Sequence, residues 1–92
     1  MFMCDKTLDV VGRVSIPLEF VRRAGLEFGE ICLCEEKNSP DMLAVKNTSD
    51  VTDEDSIVAI KTLDSKGRFY YRGNFKRYRI ILKAGQIYLV TL

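Results

Sequence analysis

The stretch LDVVGRV at residues 8–14 returns as LDSKGRF at residues 63–69, and this repetition decides how the chain is built. Six residues recur 55 positions apart. They are Leu8, Asp9, Gly12, Arg13, Phe20 and Arg22 in the first copy, and Leu63, Asp64, Gly67, Arg68, Phe75 and Arg77 in the second. A unit that repeats within 92 residues usually cannot bury its apolar face alone. We therefore expect two pseudo-symmetric copies that share one core.

The repeat sets the expected domain organisation. A first copy spans residues 1–47, an acidic linker spans 48–56, and a shortened second copy spans 57–92. After a one-residue shift the match resumes: Gly29, Ile31 and Leu33 become Gly85, Ile87 and Leu89. The last strand of the second copy is therefore expected either to lack its hairpin partner or to find another one. Together the copies should form one compact domain, and an intertwined homodimer would increase the area that so short a chain can bury.

Hydropathy and turn-forming residues predict a mainly β fold with one or two short helices. Strands are expected over residues 5–10, 13–16, 30–36, 42–45, 56–61, 68–72 and 86–90. Pro17 and Gly25 delimit a helix from Leu18 to Ala24, because proline suits the first turn of a helix and glycine its C-terminal cap. Residues 75–79 are expected to form either a helical turn or an extended segment.

The net charge of +1 conceals two blocks of opposite sign. Residues 1–60 carry six basic and twelve acidic side chains, whereas residues 61–83 carry eight basic side chains and one acidic side chain. A basic block of this kind can bind nucleic acid. It can equally neutralise the acidic half, within the chain or across a dimer. Charge alone does not separate these two interpretations.

Aromatic residues are interleaved with the basic ones over residues 68–79. Phosphate pairing and base stacking can act together in such segments. The candidate DNA contacts from this block are Arg68, Arg72, Lys76, Arg77 and Arg79. Of the aromatic residues, Phe69, Tyr71 and Phe75 are expected in the core, and Tyr70 and Tyr78 on the surface.

The three cysteines, Cys4, Cys32 and Cys34, do not have the spacing of a disulfide framework. Cys32 and Cys34 lie two residues apart on an expected strand, so their side chains share a face. We interpret both as small apolar core residues rather than as a thiolate pair. The chain has no histidine, and a structural zinc site takes four cysteine or histidine ligands. We expect neither a metal nor a cofactor.

The sequence shows neither a membrane span nor a catalytic motif. No apolar run approaches the ~20 residues of a transmembrane helix, and the first residues lack the pattern of a signal peptide. A cytoplasmic location is therefore expected. The lack of histidine removes the commonest general base, and no glycine-rich phosphate loop or nucleophile elbow occurs. We expect a binding protein rather than an enzyme.

A longer pattern joins the first turn to the helix and the strands after it. It consists of Gly12-Arg13, Val14, Ile16-Pro17, Glu19, Arg22 and Gly25-Leu26, followed by a strand hairpin through Val45. This pattern, over residues 5–47, resembles the swapped-hairpin family of AbrB-type and SpoVT-type regulators and MazE-type antitoxins. Residues 57–90 match it more loosely. Two copies in one chain, with D-x-x-x-R elements at Asp9…Arg13 and Asp64…Arg68, resemble the MraZ arrangement.

The resemblance implies a swapped-hairpin, double-psi-like β-barrel, a homodimer and a prokaryotic transcriptional regulator that contacts double-stranded DNA. The DNA contacts that it implies are Arg13, Arg22 and Arg23, with Arg68 and Arg77 as counterparts of Arg13 and Arg22 in the second copy. We expect a structural role for Asp9 and Asp64, because an aspartate that opens a turn can cap backbone N–H groups and pair with the arginine four residues further along the chain. An antitoxin-like protein-binding module and an oligomeric scaffold without nucleic-acid binding are the alternatives.

Overall fold

A computed structural model describes residues 1–92 as eight β-strands, one α-helix and one short 3-10 helix. The strands are β1 (Phe2–Thr7), β2 (Arg13–Ser15), β3 (Gly29–Glu36), β4 (Ser39–Asn47), β5 (Ile57–Leu63), β6 (Arg68–Tyr70), β7 (Arg77–Lys83) and β8 (Gln86–Thr91). The α-helix, α1, spans Leu18–Ala24, and the 3-10 helix spans Thr48–Asp50. The expected mainly β class is confirmed. The α-helix has only seven residues, and no helix in the protein is long and apolar enough to cross a membrane.

Six of the strands form one antiparallel sheet in the order β1-β7-β8-β4-β3-β5, and its two edges are not joined to each other. The other two, β2 and β6, pair as a separate two-stranded ribbon with Val14 opposite Phe69. Val14 and Phe69 are buried against the sheet face that carries Leu33, Ile80 and Leu89. We call this the inner face of the sheet. The ribbon therefore closes the main core from one side.

The strand order is the same when the two halves of the chain are exchanged. The first strand of each half pairs with a strand of the other half, β1 with β7 and β5 with β3. The ribbon joins β2 of the first half to β6 of the second, and β4 pairs with β8 at the centre of the sheet. Only the hairpins β3–β4 and β7–β8 pair strands within one half. The halves therefore share their sheet as well as their core.

The second half is shorter because it lacks the helix, and not because it lacks a strand as expected. Thr7 pairs with Arg77, and Thr62 pairs with Glu30. The offset between equivalent positions therefore falls from 55 at Thr7 and Thr62 to 47 at Glu30 and Arg77. The counterpart of β3 is β7, so the match of Gly29 with Gly85 is wrong as a structural equivalence.

The last strand of the chain is not left without a partner, which is the second of its two expected outcomes. That strand, β8, pairs with β7 on one side and with β4 on the other. Residues 77–83 supply the missing strand: Tyr78, Ile80 and Leu82 are buried and alternate with more exposed residues. The helical turn considered for residues 75–79 is not formed, since this alternation has the period of a strand.

Helix α1 has the predicted bounds, and Gly25 ends it. Gly25 has φ 65° and donates to the carbonyls at the end of the helix, as a left-handed C-terminal cap does.

In the second half, Tyr71 and Phe75 pack against the core with ring centroids 5.9 Å apart. Tyr78, expected on the surface, is only 1% exposed, so that prediction is wrong.

The opposite, outer face of the sheet carries a second, smaller core. Cys32, Cys34 and Ala44 are buried there, and Val51 from the linker packs over them with Tyr88. Both cysteines therefore serve as core residues, as predicted, and burial raises the pKa of the Cys34 thiol. Lys46 and Asp55 form an ion pair of 2.8 Å that fastens the linker to the sheet. No group of three or more cysteine, aspartate or glutamate side chains is arranged to hold a metal ion.

Candidate nucleic-acid interface

The two repeated turns, residues 9–12 and 64–67, have the same hydrogen bonds. In the first, Asp9 Oδ1 accepts the backbone N–H groups of Val11 at 3.1 Å and Arg13 at 2.8 Å. In the second, Asp64 Oδ1 accepts those of residues 66 and 68, both at 2.9 Å. Each aspartate thus caps the turn that it opens, which is the structural role predicted for it.

Each aspartate also holds the arginine that begins the return strand. Arg13 Nε lies 2.7 Å from Asp9 Oδ2, and Arg68 Nε lies 3.0 Å from Asp64 Oδ2. Donation from the backbone N–H groups of the arginines, together with these ion pairs, lowers the pKa of both carboxyl groups. The bonds use only the Nε atoms, so the outer guanidinium nitrogens of Arg13 and Arg68 make no hydrogen bond within the chain. Both arginines are held in place and keep donors for a ligand.

The glycines of the turns attach each turn to the other half of the molecule. Gly12 and Gly67 have φ of 85° and 81°, a conformation that suits glycine. The Gly12 carbonyl accepts from Tyr71 N at 3.1 Å, and the Gly67 carbonyl accepts from Ile16 N at 2.7 Å. At Gly67 a Cβ atom would lie 2.5 Å from the Ile16 carbonyl oxygen, so the approach leaves no room for a side chain. The turns are therefore fixed relative to the ribbon.

Alternation along the ribbon points one set of side chains away from the core. Val14 and Phe69 face inward, so the residues on either side of them face outward. The outward set is Arg13 and Ser15 on β2 with Arg68 and Tyr70 on β6. We call these four residues the ribbon face. Tyr70 is 59% exposed and Arg13 lies directly opposite it, so cationic and aromatic groups are adjacent on this face.

Two further cations, Lys66 and Arg72, lie at the turns that flank the ribbon face. Lys66 is exposed at the tip of the second turn. The Arg72 side chain lies across Gly12 and donates to the carbonyl of Val11 at 3.1 Å. Neither cation is within 4.0 Å of a carboxylate. Lys66 was not among the predicted contact residues, although the repeat places it in a turn next to Arg68.

The helix arginines point in different directions. Arg22 and Arg23 both pair with Glu19. Arg22 lines a groove of about 460 Å³ together with Ser65 of the second turn, so it lies at one end of the ribbon face. The guanidinium of Arg23 lies 5.0 Å from the ring centroid of Phe2 on β1. Only Arg22 is therefore placed beside the repeated turns.

The remaining predicted residues do not join the ribbon face. Arg77 and Arg79 alternate with the inward-facing Tyr78 and so lie on the outer face of the sheet. Arg79 makes two hydrogen bonds to the carboxylate of Asp5, at 2.6 and 2.9 Å. Lys76 is exposed near the start of the first turn, where its carbonyl accepts from Leu8 N.

The predicted equivalence of Arg77 with Arg22 is wrong. Strand pairing makes Arg77 the counterpart of Glu30, because Arg77 pairs with Thr7 as Glu30 pairs with Thr62. The identity of the two arginines at an offset of 55 is therefore not a structural repeat. The cause is the missing second helix, which shifts every later residue of the second half.

Comparisons with known proteins find no relative of this chain: no family model, no curated protein and no solved structure matches it. The interpretation of the ribbon face therefore depends on its own geometry and charge.

Proposed function

We propose that this protein binds double-stranded DNA with the ribbon face against the major groove. The observation that carries the proposal is the orientation of Arg13 and Arg68, each held at Nε by an aspartate with its outer nitrogens free. The major groove of B-DNA admits a two-stranded β-ribbon, and arginine can donate two hydrogen bonds to a guanine edge there. An arginine that is already oriented loses less conformational entropy when it binds.

The charges around the ribbon face favour a polyanionic ligand. Five cations lie on it or at its ends, namely Arg13, Arg22, Lys66, Arg68 and Arg72, and three carboxylates pair with them, namely Asp9, Glu19 and Asp64. The unpaired charges belong to Lys66 and Arg72, which flank the ribbon and are suited to phosphate. Contacts of this kind weaken with salt, because bound phosphate releases counterions.

We further propose a swapped-hairpin architecture and a role as a transcriptional regulator of the AbrB type. The exchange of β1 and β5 between the halves supports the architecture, since each half completes the sheet of the other. In this proposal one chain provides the two pseudo-symmetric units that a dimer of single-copy chains would provide. The proposed ligand is then an operator in double-stranded DNA, and the proposed location is the cytoplasm.

Self-association is a second candidate function, and exposed apolar residues at the sheet edges favour it. On edge strand β5, Ile57, Val58 and Ile60 are 47%, 47% and 57% exposed. On the opposite edge, Phe2 and Met3 are about half exposed. Edge strands with apolar side chains can pair with another chain. Homodimer formation, or a protein-binding role without DNA, is the outcome if the DNA proposal fails.

Fluorescence anisotropy with a labelled duplex from the upstream region of the protein's own gene tests the DNA proposal. The duplex is titrated with wild type, with Lys66→Ala/Arg72→Ala and with a matched control, Arg77→Ala/Lys83→Ala. Both double variants remove two positive charges, but the control changes only the outer face of β7. We expect the ribbon variant to bind more weakly and with a salt dependence reduced by about two phosphate contacts, and the control to bind as wild type does.

Two results would contradict the proposal. Absence of binding by wild type at low salt would reject DNA as the ligand and leave self-association. An equal loss in both double variants would show that net charge, rather than the ribbon face, attracts the duplex. Circular dichroism of each variant establishes that the fold is intact.

A further inference from the structure

The two repeated turns share a backbone but differ at their tips. The first turn carries Val10 and Val11, which are fully exposed and 40% exposed, and the second carries Ser65 and Lys66. Apolar residues at the tip of an exposed turn are unusual, since turns favour polar residues and glycine. The two tips therefore differ in chemistry while the turns keep the same backbone hydrogen bonds.

Positions 11 and 66 are equivalent in the structure and not only in the sequence. Val11 N and Lys66 N donate to the carboxylate that opens their own turn, at 3.1 and 2.9 Å. Both turns are closed by an N–H···O bond of 3.0 Å from glycine to aspartate. Each glycine carbonyl then accepts from the opposite half of the chain. A side chain at position 11 therefore starts from the same place, relative to its end of the ribbon, as the Lys66 side chain does.

We propose that the protein contacts DNA asymmetrically, with a phosphate contact at Lys66 that has no counterpart at the equivalent Val11. This inference rests on the proposed function and deepens it. Lys66 offers an exposed ammonium group to a phosphate at its end of the ribbon, whereas a valine side chain offers neither charge nor donor. The protein then binds duplex DNA in one preferred orientation, and its site has two unlike half-sites rather than a perfect palindrome.

The residues that cover the two turns differ in the same way. At the first turn, Arg72 lies against Gly12 and uses a terminal nitrogen on the Val11 carbonyl. At the second turn, Leu18 lies against Gly67 and forms part of the apolar groove beside Ser65. The first turn thus has a cation, Arg72, against its glycine and none at its tip, whereas the second turn has Leu18 against its glycine and the Lys66 cation at its tip. The two ends of the ribbon present different surfaces to a symmetric duplex.

The test moves the cation from one tip to the other. Wild type, Lys66→Val, Val11→Lys and the double variant Val11→Lys/Lys66→Val are titrated with one duplex over a range of salt concentrations. We expect Lys66→Val to reduce the slope of log K against log salt by about 0.9, the value for one phosphate. Val11→Lys should increase it by about the same amount, and the double variant should restore the wild-type slope.

Matched controls separate the position of the charge from the net charge. Lys37→Val and Asn38→Lys change the exposed turn between β3 and β4 by the same charges. That turn lies at the far end of β3 from Gly29, which pairs with the residue before the second turn. Both controls should leave the slope unchanged.

Each result bears on a different proposal. An unchanged slope in either Lys66→Val or Val11→Lys, with DNA binding retained, overturns the asymmetric contact and leaves the proposed function standing. Control variants that shift the slope as much as the turn variants also overturn it. If wild type binds no duplex at low salt, the proposed function itself is rejected.

Discussion

The backbone N–H of Ser15 donates to the hydroxyl of Tyr78 at 2.7 Å, across 63 residues of sequence. Tyr78 lies on β7 and Ser15 on β2, so the bond joins the large sheet to the ribbon. The Tyr78 hydroxyl also donates to the Ser15 carbonyl at 3.5 Å. The ring is 1% exposed, and burial raises the pKa of its hydroxyl. The Tyr78 side chain thus fills the core and also provides a hydrogen-bond partner for the backbone N–H and carbonyl groups of Ser15.

Tyr78→Phe should destabilise the protein without changing its fold. The variant keeps the ring but leaves the Ser15 N–H unpaired, and an unsatisfied group of this kind costs about 1–2 kcal/mol. Urea denaturation followed by circular dichroism measures the free energy of unfolding. Tyr70→Phe is the control, because the Tyr70 side chain is exposed and makes no hydrogen bond within the chain. Equal stabilities for the two variants would show that the Ser15 contact contributes nothing.

Gly67→Ala should be far more damaging than Gly85→Ala. Both glycines have positive φ, 81° and 74°, so alanine at either position costs about 1–2 kcal/mol of backbone strain. At Gly67 the added Cβ would also lie 2.5 Å from the Ile16 carbonyl oxygen, whereas at Gly85 nothing lies within 4 Å. We expect a loss of about 3 kcal/mol or more at Gly67, since overpacking adds to the strain.

Thermal denaturation of the two glycine variants makes the comparison directly. A similar shift in Tm for Gly67→Ala and Gly85→Ala would contradict the close approach of the second turn to Ile16. If Gly67→Ala does not fold, Gly12→Ala supplies a milder case, because there the nearest atom belongs to the flexible Arg72 side chain.

Stability should fall in acid, and the turn aspartates should account for part of the fall. Asp9 and Asp64 have a pKa below the ordinary value of 3.8, because backbone N–H groups and arginines favour their charged form. A carboxyl group whose pKa is lower in the folded state stabilises the protein at any pH above its ordinary pKa. This stabilisation is lost as the pH falls through the lowered pKa of the folded state. Asp9→Asn/Asp64→Asn should therefore be less stable at neutral pH and less sensitive to acid.

Free energies of unfolding measured between about pH 5 and pH 2 test this dependence. Asp53→Asn serves as the control, because Asp53 is exposed in the linker and makes no ion pair or hydrogen bond. A double variant that loses stability with acid as steeply as wild type does would show that the two turns are not the titrating elements.

Only Cys4 should react quickly with a thiol reagent in the folded protein. Cys4 is partly exposed, whereas Cys32 and Cys34 are 1% and 0% exposed. Burial raises the pKa of Cys34, so its reactive thiolate is also scarce. Dithionitrobenzoate at pH 8 should release one equivalent rapidly and two more after unfolding in urea. Rapid reaction of all three thiols, or a fast phase that persists in Cys4→Ala, would contradict the buried arrangement.

The turns and the helix could be predicted because they depend on residues close together in the sequence. The pairing of strands that are far apart in the sequence could not be predicted in this way. Pro17 and Gly25 act on their own neighbours, so the helix bounds could be inferred from the sequence alone. The capping by Asp9 is equally local, since donor and acceptor lie within four residues. The pairing of Thr7 with Arg77 depends on the whole fold, and a match of identical residues gave a misleading offset in its place.

In the candidate site, too, contacts between neighbouring residues could be predicted, whereas the placement of residues on the sheet could not. The pairing of Arg13 and Arg68 with their aspartates followed from the D-x-x-x-R spacing. The separation of Arg77 and Arg79 from the ribbon could not be predicted without assigning strand β7, because alternation from the buried Tyr78 decides their face. Lys66 could have been recognised from the repeat, as the counterpart of Val11 in a turn beside Arg68.

The exchange of β1 and β5 between the halves has a consequence for how the molecule comes apart. β1 at one end of the chain pairs only with β7 near the other end, and β5 pairs only with β3. Opening either half removes the strand that borders its neighbour, so the two repeats cannot act as separate cooperative units. The protein should unfold in a single cooperative transition. Cleavage of the linker at residues 48–56 would yield two fragments that are folded only while they remain associated.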